Sequence, residues 1–376
     1  MRLAERVIDL AIQIQQIPAP TFGEARRAEF VRASFVNEGL QDVSIDEVGN
    51  VVARLPGNGN GKPLIVSAHL DTVFPIETDL RVSRQPDLIH GPGLGDNSLG
   101  VAALFGVLWS LRERLPPLPS GESRGEGDIW FVANVGEEGL GDLRGMKAVV
   151  NRFGSDVQAY LVLEGLALGH IYHRAVGVKR YRVTAKTAGG HSWSDYRKPS
   201  AIHELSRLVV DLTSMKLPES PRTTMNVGRI SGGTSINTIA SEAWFELDLR
   251  SEGQESLAEL VSAVESLIER ATKPDVKFEA EVIGQRPAGE MDSNHPLIVL
   301  AEECIREQGL EPVLTSGSTD ANIPLSRGYS ALVLGVTTGG GAHTTNEFIN
   351  TGLVEKGLGQ LVRFVERAGS QRDASR

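Results

Sequence analysis

The segment Leu64-Ile65-Val66-Ser67-Ala68-His69-Leu70-Asp71-Thr72 is the strongest indicator of the architecture of this chain. Its apolar first half predicts a buried strand, and a histidine and an aspartate follow where that strand ends. Because residues i and i+2 of a strand share a face, we expect His69 and Asp71 to emerge side by side. Open α/β sheets place their ligand sites at this end of their strands. Two ordinary hydrogen-bonded polar residues at a strand end are the alternative interpretation, and the rest of the chain decides between the two.

The composition narrows the class of protein. A chain of 376 residues is longer than one ordinary core supports, which predicts two domains. Its net charge of −10 disfavours non-specific binding to nucleic acid. The sequence has neither an apolar run long enough to predict a membrane span nor the core of a signal peptide. We therefore expect a cytoplasmic globular protein with no nucleic-acid partner and no membrane partner.

The cysteine content limits the chemistry of any metal site. Cys304 is the one cysteine, so neither an intrachain disulfide nor a thiolate cluster can form. A metal must then be held by His, Asp and Glu. Nitrogen and oxygen ligands of this kind suit zinc, cobalt or manganese.

Helices alternate with fully apolar strands in the first and last parts of the chain. The predicted strands cover 64–68, 129–135, 159–163 and 330–336, and the predicted helices cover 3–16, 24–37, 100–115, 296–308 and 352–367. A hairpin is predicted over 43–55, and Pro116-Pro117 with the loop 116–127 should close the third helix. The alternation indicates an α/β fold with a mainly parallel sheet that is covered on both faces.

The pattern changes between residues 177 and 286. Predicted strands at 181–187, 223–230, 243–250 and 276–283 are combined with predicted helices at about 200–213 and 255–270. Their order, β-α-β-β-α-β, is that of a ferredoxin-like α+β sandwich. We therefore predict a larger domain over 1–176 and 287–376, with a small domain over 177–286 inserted into it.

The glycine-rich segment Gly91–Gly100 carries Asp96. It fails the dinucleotide-binding fingerprint, because Ser98 stands where a third glycine belongs and no clear strand precedes it. The glycines are better explained as allowing the backbone to fold tightly around Asp96. The alternative is that Asp96 only caps the helix that follows.

More polar residues follow the other buried strands. Glu137 and Glu138 come after one strand, Glu164 directly follows the next, and His343 follows a run of three glycines. Neighbouring residues in an extended segment point in opposite directions, so one paired glutamate can face a metal and the other a substrate. A solvated surface pair is the alternative for Glu137 and Glu138.

Strand ends and glycine loops thus bring two histidines and several carboxylates to one edge of the predicted sheet. Two histidines and three carboxylates can hold two divalent ions if one carboxylate bridges them. The charges of the two ions then balance those of three carboxylates and one hydroxide. A dry site holds a neutral cluster far more easily than a net charge.

Together these segments resemble the M20 family of dinuclear zinc peptidases and deacylases, which includes glutamate carboxypeptidase, succinyl-diaminopimelate desuccinylase, acetylornithine deacetylase and peptidase T. The resemblance covers almost the whole chain. It rests on an ordered set of motifs: Ser67–Thr72, Gly93–Asn97, Gly136–Gly139, Glu164, Gly189–Ser192, Ser318–Ala321 and Ala342–Glu347.

The resemblance implies a role for each candidate residue. His69 and Glu164 would bind one zinc ion, Glu138 and His343 would bind the other, and Asp96 would bridge them. Asp71 would hold the second ring nitrogen of His69, and Glu137 would be the general base. Many members carry Asp or Met where this chain has Asn97, which is not a ligand, and a cis peptide bond is usual after the bridging aspartate.

The resemblance also implies functions for the inserted domain, as a lid and often as a dimerisation surface. His191 would stabilise the oxyanion, often in the partner subunit's site, and Asn237 and Arg250 would hold the substrate carboxylate. An arginine fork suits a carboxylate better than a lysine does. His170 and His173 form an HxxH that no predicted helix supports, so we interpret them as structural.

We expect a hydrolase with two Zn²⁺, Co²⁺ or Mn²⁺ ions that cleaves a peptide or N-acyl amide bond next to a free carboxylate. A small peptide or an N-acyl amino acid would be the substrate, and a homodimer through the lid domain is expected. An aminopeptidase or tripeptidase of the peptidase T type is one alternative, because Ser318–Asn322 is similar to that branch. A non-catalytic metal-binding relative is another, but a pure binding site has no need of a base such as Glu137.

Overall fold

The computed structural model describes residues 2–57, 61–114 and 127–370. The chain divides into a larger unit, Met1–Arg174 with Glu290–Arg376, and a smaller unit, Ala175–Gly289. The domain boundaries predicted at residues 176 and 287 lie close to these. The predicted helix end at Leu115, its Pro116-Pro117 stop and most of the loop that follows lie outside the described residues.

Helices and strands are numbered in chain order. The first part of the chain forms α1 (Leu3–Gln15), α2 (Ala25–Asn37), β1 (Gln41–Ile45), β2 (Val51–Leu55), β3 (Leu64–His69), β4 (Ser83–Arg84), β5 (Leu88–His90), α3 (Leu99–Arg114), β6 (Ile129–Asn134), α4 (Arg144–Phe153), β7 (Ala159–Glu164) and β8 (His170–Ala175). The smaller unit forms β9 (Gly177–Lys186), β10 (Gly190–His191), α5 (Ala201–Thr213), β11 (Thr223–Gly232), β12 (Thr238–Ile239), β13 (Glu242–Ser251), α6 (Gln254–Ala271) and β14 (Lys277–Arg286). The last part forms β15 (Gly289–Glu290), α7 (Pro296–Arg306), β16 (Val313–Gly317), α8 (Asn322–Ser326), β17 (Ala331–Gly335), β18 (Gly339–Gly340), β19 (Phe348–Asn350) and α9 (Val354–Ser370).

The larger unit is built around one sheet with the order β1-β2-β6-β3-β7-β17-β8-β15, and β16 pairs with β8. Its four central strands, β6, β3, β7 and β17, run parallel, whereas β2 and β8 are antiparallel to their neighbours. Every residue of β3 is buried, as its apolar sequence requires for a strand covered on both faces. The prediction of an α/β fold with a mainly parallel sheet is confirmed.

Helix α3 packs against β3 and β7 in this core. By length and composition alone, the stretch Leu94–Glu113 is long and apolar enough to cross a membrane, contrary to our sequence-based expectation. Of its apolar window, 94 % is buried inside the protein, which is how the core helix of a folded domain packs.

The smaller unit has an antiparallel sheet of order β11-β13-β9-β14, with α5 and α6 packed on it. Alternate residues such as Tyr181, Val183, Phe245 and Leu247 face the helices and form its core. With β9 and β13 at the centre and the chain order β-α-β-β-α-β, this is the predicted ferredoxin-like arrangement.

Several strands of the larger unit are absent from the sequence-based prediction, and β8 and β16 are the longest of them. Strand β8 contains the HxxH, and its residues alternate between buried and half-buried. The ring Nδ1 of His173 lies 2.7 Å from the carbonyl oxygen of Met291, so this histidine makes a structural contact. Strand β16 is only partly buried, which explains its weak apolar signal.

Candidate metal centre

The parallel strands bring four candidate residues to one edge of the sheet. β3 pairs on one side with β6 and on the other with β7, in parallel, so their carboxyl ends lie together. His69 is the last residue of β3 and Glu164 is the last residue of β7. Glu137 and Glu138 follow β6 and are almost completely buried. The local sequence therefore places these side chains where open sheets carry their sites.

Two loops add Asp96 and His343 at the same edge. Asp96 has extended rather than helical backbone angles, and its peptide bond to Asn97 is cis. Gly93 in this loop has a φ of +69°, which glycine adopts without strain. His343 lies between β18 and β19, and its own φ of +65° turns the chain sharply after the glycines.

Asp96 lies between the two histidine rings. Its Oδ1 is 3.1 Å from Nε2 of His69, and its Oδ2 is 3.0 Å from Nε2 of His343. Each histidine has a second carboxylate neighbour: Oε2 of Glu164 is 3.7 Å from the His69 ring, and Oε1 of Glu138 is 3.2 Å from the His343 ring. The site therefore contains two sets of ligands, each with one imidazole and two carboxylates, and Asp96 is one of the two carboxylates in both sets.

The donor atoms fit a pair of divalent ions. Ligands at about 2.0–2.1 Å from a tetrahedral zinc lie roughly 3.3 Å from one another, and the distances of 3.0–3.7 Å within each set agree with this. Ligand atoms of His69, Asp96 and Glu138 also lie within 4.8 Å of one another, which keeps the two sets close. The set has nitrogen and oxygen donors only, as zinc, cobalt or manganese accept.

The carboxylates create a strong local field. Burial raises the pKa of Asp96, but the rings of His343 and His69 outweigh this and hold that pKa well below its usual range. Burial also raises the pKa of Glu164 to about 7, and the charges of Asp96 and Asp320 add to this against the opposing effect of His69. Negative charges crowded in this way favour a cation between them.

The histidines respond to the same field. Burial lowers the pKa of His69, but the carboxylates around it carry that pKa well above its ordinary value. Hydrogen bonds with Asp96 and Glu138 raise the pKa of His343 to about 10. The side chain of His343 is 57 % exposed, so the site opens to solvent on its side.

Asp71 contacts His69 through both its main chain and its side chain. The Nδ1 atom of His69 lies 3.0 Å from the main-chain carbonyl of Asp71, whereas its distance to the carboxylate is 3.7 Å. The carboxylate also accepts hydrogen bonds from the backbone N–H groups of Glu137 at 3.0 Å and Glu138 at 2.9 Å, and from the hydroxyl of Thr21 at 2.9 Å. Asp71 therefore links the ends of β3 and β6, because its carbonyl orients the ring and its carboxylate orients the glutamates.

Sequence reasoning gave no positioning role to Asn97. Its amide donates to the Leu163 carbonyl at 2.8 Å and accepts from the Gly165 N–H at 2.8 Å. These contacts flank Glu164, so Asn97 ties the loop of Asp96 to the end of β7. The one feature of the sequence that pointed to Asn97 is that many family members have Asp or Met at this position.

Glu347 and Asp320 lie in two of the family motifs, but the resemblance assigns neither of them a role. Both are completely buried, and the amide of Asn134 donates to Asp320 at 2.6 Å. Three backbone N–H groups of the Asp96 loop donate to Glu347. Burial nevertheless raises the pKa of Glu347 to about 7. For both residues, the available signal in the sequence was an acidic residue that lies in a family motif and has no assigned role.

His191 and Asn237 lie together in the smaller unit. Strand β10 pairs with β12, and the Ser192 N–H donates to the Asn237 carbonyl at 3.0 Å. Nδ1 of His191 accepts from the backbone N–H groups of Trp193 at 3.2 Å and Ser194 at 3.4 Å. Because Nδ1 accepts, Nε2 is the ring atom that can donate a hydrogen bond.

Arg250 lies on the sheet face of the smaller unit that faces away from α5 and α6. Its Nε donates to Asp248 at 2.6 Å, and Asp248 also accepts from Arg180 at 2.8 Å. The predicted carboxylate-binding arginine therefore already has one carboxylate partner within its own sheet.

The comparisons with known proteins agree with this geometry. The family described as Peptidase family M20/M25/M40 matches residues 65–367. A peptidase M20 domain-containing protein of Schizosaccharomyces pombe is 28 % identical over 96 % of this chain and 84 % of its own length. A tripeptidase from Staphylococcus aureus has the same fold, with a TM-score of 0.83 and 24 % identity over 98 % of this chain and 99 % of that one. The Bacillus subtilis protein YXEP, a dinuclear metal binding peptidase, also shares the fold, with a TM-score of 0.70 and 16 % identity over 98 % of both chains.

Proposed function

Because this chain belongs to peptidase family M20/M25/M40, we propose that it is a hydrolase of peptide or N-acyl amide bonds that uses two divalent ions, Zn²⁺ or alternatively Co²⁺ or Mn²⁺. The observation that carries the proposal is the position of Asp96, whose two oxygens lie 3.1 and 3.0 Å from the rings of His69 and His343. A carboxylate shared in this way is suited to bridge two ions. His69 with Glu164 would bind one ion, and His343 with Glu138 would bind the other.

The ions would polarise the scissile carbonyl and lower the pKa of water from about 15.7 towards roughly 7. Glu137 would take the proton from the attacking water and pass it to the leaving amine. Its backbone N–H is anchored on the Asp71 carboxylate at 3.0 Å, and the residue is only 6 % exposed. That anchoring supports a base held in one place and protected from bulk water.

The smaller unit would complete substrate binding. We propose that the Nε2–H of His191 stabilises the oxyanion, because a positioned hydrogen-bond donor lowers the energy of the negative charge that develops there. Arg250, with Asn237 beside the His191 strand, would pair with the substrate carboxylate. Because Asp248 holds the Nε of Arg250 at 2.6 Å, the guanidinium is oriented before substrate arrives.

We propose that the substrate carries a free α-carboxylate on its leaving side, as a small peptide or an N-acyl amino acid does. The family resemblance associates glutamate at position 164 with carboxypeptidases and deacylases. The alternative is an N-terminal trimming activity of the peptidase T type. The segment Ser318–Asn322 and the shared fold of the S. aureus tripeptidase favour that alternative.

A matched set of substrates separates these activities. Dipeptides, tripeptides and N-acyl amino acids would be screened with Zn²⁺, Co²⁺ or Mn²⁺, each also as its C-terminal amide, with Glu137→Gln as the control for contaminating activity. We expect amidation to lower kcat/KM by about 100-fold, or roughly 3 kcal/mol, and a blocked N-terminus to be tolerated. Cleavage of amides with no cleavage of N-blocked peptides would make the enzyme an aminopeptidase. Metal binding without turnover of any substrate would favour a binding protein.

We further propose a homodimer formed through the smaller unit. Strand β11 lies at the edge of its sheet and is mostly exposed, and an exposed edge can pair with another strand. Sedimentation velocity tests the oligomeric state. The cytoplasmic location and the lack of nucleic-acid and membrane partners stay predictions of the sequence.

A further inference from the structure

Glu347 is a completely buried acid that faces the loop of Asp96. Its Oε1 accepts the backbone N–H groups of Gly95 at 2.6 Å and Asp96 at 2.9 Å, and its Oε2 accepts that of Gly93 at 3.0 Å. Three donors on one carboxylate fix the path of this loop. One of these donors is the backbone N–H of Asp96 itself, so Glu347 holds the main chain of the same residue whose side chain is the proposed bridge.

The same residue is fixed to the loop that carries His343. The N–H of Glu347 donates to the Thr344 carbonyl at 3.2 Å, which closes a turn directly after His343. Its carbonyl accepts the Gly91 N–H at 2.9 Å. The backbone and the side chain of Glu347 thus connect the segments of Asp96 and His343, whose side chains lie 3.0 Å apart.

We propose that Glu347 is a positioning residue that sets the distance between Asp96 and His343 and thereby the affinity of the site for metal. This inference rests on the proposed dinuclear centre. Asp71 and Asn97 make comparable connections between other pairs of ligand segments. Glu347 differs from them in that its anchor includes the N–H of the bridging residue.

The chemistry of Glu347 predicts a graded response to substitution. In Glu347→Gln the amide oxygen still accepts from Gly95 and Asp96, but an NH₂ group then faces the N–H of Gly93. In Glu347→Ala all three donors lose their acceptor. Residues that orient metal ligands typically contribute about 10–100-fold to affinity. We therefore expect zinc affinity to fall by about 10-fold in Glu347→Gln and by about 100-fold or more in Glu347→Ala.

The test is calorimetric titration of the metal-free full chain with Zn²⁺, together with thermal unfolding of the same samples. Glu204→Gln is the matched control, because Glu204 is a buried glutamate like Glu347 but lies in the smaller unit. Glu204 is ion-paired to Arg207 and Lys273. The control variant should lose stability and keep the zinc affinity of the wild type. Glu347→Gln should lose zinc affinity.

Wild-type zinc affinity in Glu347→Gln, with a lowered melting temperature, would overturn the inference and leave Glu347 a purely structural residue. If Glu347→Ala fails to fold, the glutamine variant still decides the question. A wild-type chain that binds no Zn²⁺ would overturn the proposed metal centre instead, so the two failures can be told apart.

Discussion

Replacing Asp71 with asparagine tests how the site is assembled. The Asp71 side chain is completely buried and accepts hydrogen bonds from Thr21 and from the backbone N–H groups of Glu137 and Glu138, at 2.9–3.0 Å. Asparagine preserves the shape of the side chain but offers one acceptor oxygen and one NH₂ group. One of the two backbone N–H groups must then face a donor in a buried position.

The loss of one hydrogen-bond acceptor sets the expected change in the free energy of unfolding. A buried donor left without an acceptor costs about 1–3 kcal/mol, and more where a charged acceptor is lost. We therefore expect the free energy of unfolding of the metal-free chain to fall by about 1–3 kcal/mol. Because Glu138 is a proposed ligand and its backbone is held by Asp71, zinc affinity should fall by about 10–100-fold as well.

Urea unfolding and calorimetric zinc titration measure these two quantities. Asp42→Asn is the matched control, since Asp42 makes an exposed ion pair with Arg54, of a kind that contributes little to stability. It should leave zinc affinity unchanged. An Asp71→Asn protein with wild-type stability and wild-type zinc affinity would refute the idea that this carboxylate orients the β6 segment.

Further variants separate the roles within the site and the core. By elemental analysis, Asp96→Ala should lose metal at both positions and Glu164→Ala mainly at one, and two full equivalents in Asp96→Ala would remove it from the ligand set. Glu137→Gln should keep both metals and lower kcat by about 10²–10⁴-fold, so near-normal turnover with metal bound would exclude it as the base. Burial raises the pKa of Cys304 to about 11, so the stability that the neutral thiol contributes is present below its ordinary pKa and is lost as the pH rises towards 11. Cys304→Ala should therefore show a smaller loss of stability at alkaline pH than the wild type, and identical pH profiles would contradict this.

The parallel sheet was predictable because its signal is local. Strands β3, β6, β7 and β17 are short apolar runs, and burial on both faces leaves no alternation to confuse them with surface strands. Strand β8 lacked such a signal, since it is not an apolar run and two of its six residues are the histidines of the HxxH. It is defined by pairing with β17, which is distant in sequence.

The candidate ligands were also predictable, because each follows a strand or a glycine loop that the sequence displays. The contacts that orient them were not. The donors to Glu347 lie some 250 residues earlier in the chain, and no spacing rule connects them. The carboxylate of Asp71 contacts Glu137 and Glu138 as well as His69, because the end of β6 lies next to the end of β3. Such contacts depend on tertiary packing and not on local pattern.

We propose that Asp96 bridges two ions, and anomalous X-ray diffraction at the zinc edge from zinc-loaded crystals shows whether it does. We predict two anomalous peaks at the carboxyl edge of the central sheet, one contacting His69, Asp96 and Glu164 and the other contacting Glu138, Asp96 and His343. A single peak that does not contact Asp96, or no peak among these five side chains, would contradict the claim.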